Sequence, residues 1–321
     1  MKAWIIKEAN TLSLVAADQP RKPGEVKVKV TLAGISHSDV ALYAGKDEKR
    51  LPLIPSRIAI GLVSESDEEM GLMKGERVLL APYYREHIRT GDVSGYLQDY
   101  VVVPREYVIP LPEKVADSSA IFAEQAAMAA AAIDKLELKK GEYIAIFGTS
   151  PFCLLLAQLA DYYHAIPLVI GTDEEELEQA TNMGLCYALN SNKIDVVSRI
   201  RDMTGGLLCE CTVLEGTGKV NPQLALSVSG QKGRVCIAGT DAYVGKVNVD
   251  LRAVLAKKLT LVGLTDGRGN VPAAVNLLNI GALSVKELSL QWADFDTIDR
   301  EFARLKEQVN EFGSLVLCKV D

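Results

Sequence analysis

The run Gly148-Thr149-Ser150-Pro151-Phe152-Cys153 stands directly after the strand-length apolar segment Tyr143–Phe147 and directly before a helix-forming stretch. A dinucleotide-binding fold places its G-x-G-x-x-G turn at that point. The first glycine of the pattern is Gly148; the second position holds Ser150 and the third Cys153, which is small enough for helix and strand still to approach. Pro151 suits a first helical turn, where its missing N–H is no loss, and the free amides of such a turn can receive a pyrophosphate. Gly148, Thr149, Ser150, Pro151 and Phe152 are therefore the expected cofactor cradle, although a strand-turn-helix that binds nothing has the same letters. At the end of the next strand Thr172 and Asp173 precede Glu174, Glu175 and Glu176. Acids there accept from ribose hydroxyls and repel a 2′-phosphate, which favours NAD(H) slightly over NADP(H). Thr172 or Asp173 also suits a helix cap; capping is the first role expected, with ribose binding added to it.

Metal-ligating chemistry is sparse. Six cysteines (Cys153, Cys186, Cys209, Cys211, Cys236 and Cys318) are scattered through apolar runs without C-x-x-C spacing, the pattern of reduced core thiols in a cytoplasmic protein. Cys209 and Cys211 alternate along a strand-like run and leave a metal pair open. The three histidines, His37, His87 and His164, read as ordinary partly buried or surface residues.

The elements that must position these groups change character along the chain. Glu25–Val30 alternates strictly and Tyr100–Val103 precedes Pro104, so the first hundred or so residues read as short strands. The alanine-rich stretch Ser119–Lys135 favours a helix. After it, the apolar strands Tyr143–Gly148, Leu168–Ile170, Leu207–Val213, Arg234–Ala238 and Leu259–Val262 alternate with helical stretches such as Pro151–His164. Strands that are apolar throughout and alternate with helices predict a parallel sheet covered on both faces. Near the end Ile298–Leu305 has helical spacing and Ser314–Cys318 reads as a last strand. At 321 residues two domains are expected. A formal charge of -7 excludes nucleic-acid binding as the main task. The longest apolar tract, Pro151–Ala160, is too short to span a bilayer, and the start carries no export signal.

Several segments in order resemble the medium-chain dehydrogenase/reductase superfamily, in its zinc alcohol and polyol dehydrogenase branch. Ala33–Val40 is similar to the family's A-G-I-C-x-S-D segment, and Pro52–Val63 falls where it has P-x-x-x-G-H-E-x-x-G-x-V. Lys74–Val78 resembles its K-x-G-D-R-V turn, Gly95–Pro104 its G-x-x-A-E-Y-x-x-V-P strand, and Gly205–Gly216 the strand and turn on the nicotinamide side of the cofactor. The resemblance covers nearly the whole chain. It implies an α/β architecture: a GroES-like β-rich catalytic domain, residues 1–116 completed by 286–321, with a doubly wound Rossmann domain at 117–285 and the active site in the cleft. It also implies a homodimer formed through the strand near Lys258–Gly263.

Where that branch holds its catalytic zinc with a cysteine, a histidine and an acid or cysteine, the corresponding residues here are Ser36, Arg57 in the triplet Ser56-Arg57-Ile58, and Glu124. A neutral hydroxyl is a poor zinc ligand and a guanidinium is none. The cysteines of a structural zinc lobe are missing from Ala81–Gly95 as well, so neither catalytic nor structural zinc is expected. Arg57 is expected to stand near the lost zinc and pair with Glu124, as a structural repair or to orient substrate. By the same resemblance Ser38 occupies the proton-relay hydroxyl position, able to donate to substrate oxygen, with Ser36 two residues away; both hydroxyls also have a backbone-bonded reading. Beside its ordinary reading, His37 is a candidate to contact cofactor phosphate or relay a proton, and Tyr83, Tyr84 and His87 are candidates to line the substrate entrance. The function that follows is a zinc-independent oxidoreductase acting on a small-molecule substrate: a carbonyl or alcohol, an imine or an activated C=C. The alternatives are a non-catalytic cofactor sensor or scaffold on the same fold and a conventional zinc alcohol or polyol dehydrogenase.

Overall fold

The computed structural model describes residues 1–16, 20–82, 95–216, 221–239, 249–267, 269–307 and 315–320. Tyr83, Tyr84 and His87 lie outside the described residues. The chain divides into one compact unit of Met1–Glu124 with Ser289–Asp321 and a second of Gln125–Leu288. Residues 117–124, expected with the nucleotide-binding half, thus belong to the first unit. Ile121 packs beside Gly34 and Glu124 pairs with Arg57, which ties that stretch to the β-rich part.

In the first unit the chain runs β1 (Lys2–Glu8), β2 (Thr11–Ala16), β3 (Glu25–Ile35), α1 (His37–Tyr43), β4 (Ile58–Glu65), β5 (Arg77–Leu80), β6 (Tyr100–Pro104), β7 (Val108–Pro110) and α2 (Asp117–Ala120). α3 (Ala123–Leu136) runs from the first unit into the second, which follows with β8 (Tyr143–Phe147), α4 (Pro151–Tyr162), β9 (Ile166–Gly171), α5 (Glu174–Asn182), β10 (Ala188–Asn190) and α6 (Val196–Met203). The second unit continues through β11 (Cys209–Glu215), α7 (Pro222–Val228), β12 (Ser229–Ala238), α8 (Leu251–Lys257), β13 (Thr260–Leu264) and α9 (Val271–Asn279). The chain returns to the first unit with β14 (Gln291–Asp294), α10 (Ile298–Glu307) and β15 (Val316–Lys319).

The first unit is organised on β3, whose alternating valines point inward as a half-buried strand requires. It pairs antiparallel with β4, β6 and β15, so the C-terminal segment completes the sheet begun by the N-terminal one. Ile298, Phe302 and Leu305 of α10 close the same core, with the Phe302 ring edge-on to Tyr43 at 5.5 Å.

In the second unit the strands lie in the order β10-β9-β8-β11-β12-β13, all parallel. This is the 3-2-1-4-5-6 order of a Rossmann sheet. The order reverses between β8 and β11, and in open parallel sheets ligands bind outside the carboxyl ends of the strands at such a point. Two boundaries differ from the sequence expectation. β11 begins at Cys209, not Leu207, because Gly205, Gly206 and Leu208 all have positive φ and form a turn. The alanine-rich helix is broken into α2 and α3. At the edge β13 leaves Thr260, Leu261 and Gly263 exposed.

Cys186 is exposed and the other five cysteines are buried. Burial pushes the thiols of Cys209, Cys211 and Cys318 up to about 12 and that of Cys236 up to about 11. Their folded values lie above those of the unfolded chain, so the neutral thiols stabilise the fold below the unfolded value and that contribution is lost as pH rises toward the folded one. At pH 8, brief iodoacetamide treatment should modify Cys186 alone in the native protein and every cysteine in denaturant, as read by peptide mass spectrometry. Rapid native labelling of Cys209 or Cys211 would contradict the buried arrangement.

Candidate active site

Gly34 and Ile58 are cross-strand partners in β3 and β4, so Ser36 and Arg57, just beyond them, leave the sheet at the same end. A side chain on Gly34 would place its Cβ 2.9 Å from Ile58 Cγ2 and 3.2 Å from Ile121 Cγ1. The glycine lets Ile121 close on the strand pair, and Glu124 follows three residues later.

Asp39 is the centre of this corner. It is 3% exposed, and its Oδ2 accepts from Ser36 N at 2.8 Å and Ser36 Oγ at 2.7 Å, while Oδ1 accepts from Ser56 N at 2.8 Å. The Ser36 bonds cap the start of α1. Ser38 Oγ lies 2.6 Å from Ser36 Oγ, so the two hydroxyls of the sequence pattern are joined to each other and to a carboxylate. His37 is the first residue of α1 and half-buried. Ser56 is buried with φ of +73°, a left-handed conformation that costs a non-glycine residue roughly 1 kcal/mol. Its bond to Asp39, its Oγ donating to Ile58 O at 3.0 Å and its carbonyl accepting from Tyr96 N at 2.9 Å hold it there.

Arg57 follows, and its Nη2 forms an ion pair with Glu124 Oε1; the side chains are 34% and 7% exposed. The guanidinium therefore stands against the acid that the resemblance matches to the last zinc ligand. A metal cation does not fit beside it: Ser36 spends its hydroxyl on Asp39, Arg57 carries a positive charge, and Glu124 has a counter-ion. Among the described residues no three His, Cys, Asp or Glu side chains gather as a metal site.

The turn after β8 belongs to the second unit. Gly148 has φ of +138°, and a Cβ there would lie 2.8 Å from both Cys153 Sγ and Glu215 Oε2. Glycine is thus needed twice, for the conformation and for the room. Its amide donates to Ile170 O at 3.0 Å, fixing the turn to the end of β9. Ser150 caps α4, accepting from Cys153 N at 3.4 Å, and donates to Glu215 Oε1 at 2.6 Å. The Cys153 thiol donates to Glu215 Oε2 at 3.5 Å; burial first, and then the Glu215 charge, raise its pKa well above the ordinary thiol value. Thr149 Oγ1 donates to Glu176. Pro151 and Phe152 are buried in the first turn of α4.

The hydroxyls of Thr149 and Ser150 are thus committed to Glu176 and Glu215, and any cradle here is made of main-chain amides: Pro151 has none and that of Cys153 is given to Ser150 Oγ, which leaves those of Thr149, Ser150 and Phe152 at the helix start. That donor set, with Gly148 in its required conformation, fits a pyrophosphate. Asp173 is exposed and its Oδ1 accepts from Glu176 N at 3.0 Å, so it caps α5, while the carbonyl of Thr172 accepts from Asn192 Nδ2 at 3.2 Å.

Three residues of these sites carried no assigned role in the sequence. Asp39 was detectable, since Ser36-x-x-Asp39 has the spacing of a capping box. Ser56 and Glu215 were not: a left-handed serine leaves no compositional mark, and Glu215 reaches the turn only because β11 lies beside β8.

Comparison with known proteins bears on both units. The family model described as alcohol dehydrogenase GroES-like domain matches residues 22–113, and that described as zinc-binding dehydrogenase matches residues 152–279. The chain is 26% identical to a sorbitol dehydrogenase of Halalkalibacterium halodurans, over 100% of each. Among solved structures it is similar to the alcohol dehydrogenase TADH from Thermus sp. ATN1, with TM-score 0.83 and 24% identity over 100% of both chains. It is also similar to an Escherichia coli CFT073 alcohol dehydrogenase, rspB, complexed with NADH, with TM-score 0.83 and 22% identity over 99% of each chain.

Breaking the Arg57–Glu124 pair strands a buried carboxylate. Arg57→Ala should lower stability by about 1–3 kcal/mol, between the values for exposed and fully buried pairs. The double variant Arg57→Met/Glu124→Gln should recover most of it. Urea denaturation measures both, and an unchanged midpoint in Arg57→Ala would show that the pair contributes nothing to the fold.

Proposed function

Because this chain belongs to the medium-chain dehydrogenase/reductase superfamily, in its zinc-type alcohol dehydrogenase-like branch, we propose that it is an oxidoreductase working without zinc. Its substrate is a small alcohol or carbonyl, imine or activated C=C compound, oxidised or reduced with a nicotinamide dinucleotide. The observation that carries this proposal is the Arg57–Glu124 ion pair, formed by two residues that the resemblance matches to the family's zinc ligands. When bound, the dinucleotide supplies hydride exchange at its nicotinamide ring. The main-chain amides that follow Gly148 would hold its pyrophosphate. Asp173 and Glu176, at the start of α5, favour a ribose hydroxyl over a 2′-phosphate and so NAD(H) over NADP(H).

Catalysis without a Lewis acid needs another group to steady charge on the substrate oxygen. Arg57 supplies a fixed cation for that purpose, and Ser38, joined to Ser36, supplies the hydroxyl that contacts the same oxygen. His37 stands between the two serines in sequence and acts as a phosphate contact or proton shuttle. A guanidinium polarises a carbonyl less than a divalent metal does, so activated substrates are favoured. The six unbridged thiols support a cytoplasmic location, and the exposed edge of β13 supports a homodimer that extends the parallel sheet from one protomer to the next.

A fluorescence titration of metal-analysed protein tests the proposal. NADH should bind at micromolar concentration and more tightly than NADPH, with less than one zinc per ten chains and no change after EDTA dialysis. Gly148→Arg should abolish binding while far-UV circular dichroism reports the fold retained. Binding of neither dinucleotide to the wild type, or stoichiometric zinc, would refute it. Light scattering should give a dimer that Leu261→Lys, at the exposed edge, converts to monomer; a wild-type monomer would remove the edge-pairing proposal.

A further inference from the structure

The hydrogen bonds at the start of α1 have a direction, and that direction selects a substrate form. Asp39 receives one main-chain N–H on each oxygen, from Ser36 on Oδ2 and Ser56 on Oδ1, which holds the carboxylate as an acceptor. Ser36 Oγ, 2.7 Å from Oδ2, must then donate its single proton to Asp39, since two lone pairs at that distance would repel. With that proton spent, the 2.6 Å contact between the two hydroxyls has only one donor left, Ser38. The chain runs Ser38 to Ser36 to Asp39, and Ser38 turns its lone pairs, not its proton, toward any third group.

On the oxidoreductase reading above, on which this rests, we propose that Asp39 and Ser36 are positioning residues that fix Ser38 as a hydrogen-bond acceptor, so that the site prefers a substrate in its hydroxyl or amino form to the corresponding carbonyl. A hydroxyl satisfies both neighbours: it donates to Ser38 and its oxygen accepts from the Arg57 guanidinium. A carbonyl oxygen satisfies Arg57 alone and faces the lone pairs of Ser38. This reverses the donor role that the sequence suggested for Ser38. It also separates the two tasks, with Arg57 as the donor and Ser38 as the acceptor. Asp39 links them physically, because its second oxygen holds the N–H of Ser56, the residue before Arg57.

The test uses the full-length protein without cofactor and a matched pair of probes, cyclohexanol and cyclohexanone. Saturation-transfer NMR gives both dissociation constants without turnover. The wild type should favour the alcohol by about three- to tenfold, the effect of one hydrogen bond. Ser36→Ala removes the acceptor that takes the Ser38 proton, leaving it free to reach a carbonyl, so the ratio should shift toward the ketone by a similar factor. Ser36→Thr keeps the hydroxyl and should keep the wild-type ratio; Ser38→Ala should erase the preference. A purely structural role for Ser36 would weaken both probes together and leave the ratio where it was. That outcome, a wild type that prefers cyclohexanone, or binding of neither probe overturns the proposal. If NADH still binds the wild type in any of those cases, the oxidoreductase reading stands and the hydrogen-bond polarity alone is wrong.

Discussion

The buried carboxylate of Asp39 must be given donors, and the corner of the first unit is built to give them. An unpaired carboxylate in dry protein costs far more than any single contact returns, so the three groups that reach it are fixed by necessity. Two come from Ser36 and one from Ser56, seventeen residues farther along. Meeting at one carboxylate sets where α1 begins, forces Ser56 into a left-handed conformation and fixes the direction in which Arg57 leaves it. The strand pair β3–β4 brings the segments near each other, and the carboxylate converts that nearness into a defined geometry. Without the Asp39 carboxylate the Ser36 hydroxyl would lose its acceptor, and the bond between Ser36 and Ser38 its direction.

The second unit uses the same device in a different fold. Glu215 ends β11, and it accepts from the Ser150 hydroxyl and the Cys153 thiol, the two side chains that stand where the dinucleotide motif has glycines. Those substitutions would otherwise leave a hydroxyl and a thiol pointing into a tight turn. Gly148 keeps its place because the carboxylate lies where its Cβ would be. The turn has therefore exchanged glycine's freedom for a set of side-chain bonds, and its outward chemistry is reduced to main-chain amides. Glu176 holds Thr149 in the same manner from the neighbouring helix.

Much of this architecture was legible in the sequence because it follows from local patterns. The valine alternation of β3, the all-apolar strands of the parallel sheet and the strand-turn-helix at Gly148 each state their element within a few residues. Boundaries were less legible where glycines intervene: Gly205 and Gly206 delay β11, and Gly230 to Gly233 fall inside β12 opposite a shift in its register with β11. The site was legible as a set of residue types and not as a network. Ser36, Ser38, Arg57 and Glu124 stand out because their positions resemble a metal site with the wrong letters. That Asp39 would join three of the donors, or that Glu215 would brace a turn more than sixty residues earlier, depends on which strands become neighbours. Local sequence does not encode that pairing; sheet order does.

On the zinc-free function proposed above, the residues matched to the family's metal site have an electrostatic logic. In the family's arrangement a divalent zinc meets a thiolate, a neutral histidine and, in the polyol branch, a carboxylate, so the buried charges sum to zero. Here the guanidinium of Arg57 meets the carboxylate of Glu124, one charge against one, while the nearby carboxylate of Asp39 is satisfied by donors of its own. Changing one member alone breaks the balance: arginine beside a retained thiolate and carboxylate leaves a negative excess, and serine beside a retained metal leaves a positive one. A partly buried corner penalises either state by about 1–3 kcal/mol, a sizeable share of a domain's net stability. On the zinc-free function proposed above, Ser36 and Arg57 are for that reason a coupled pair, and the guanidinium balances the carboxylate of Glu124.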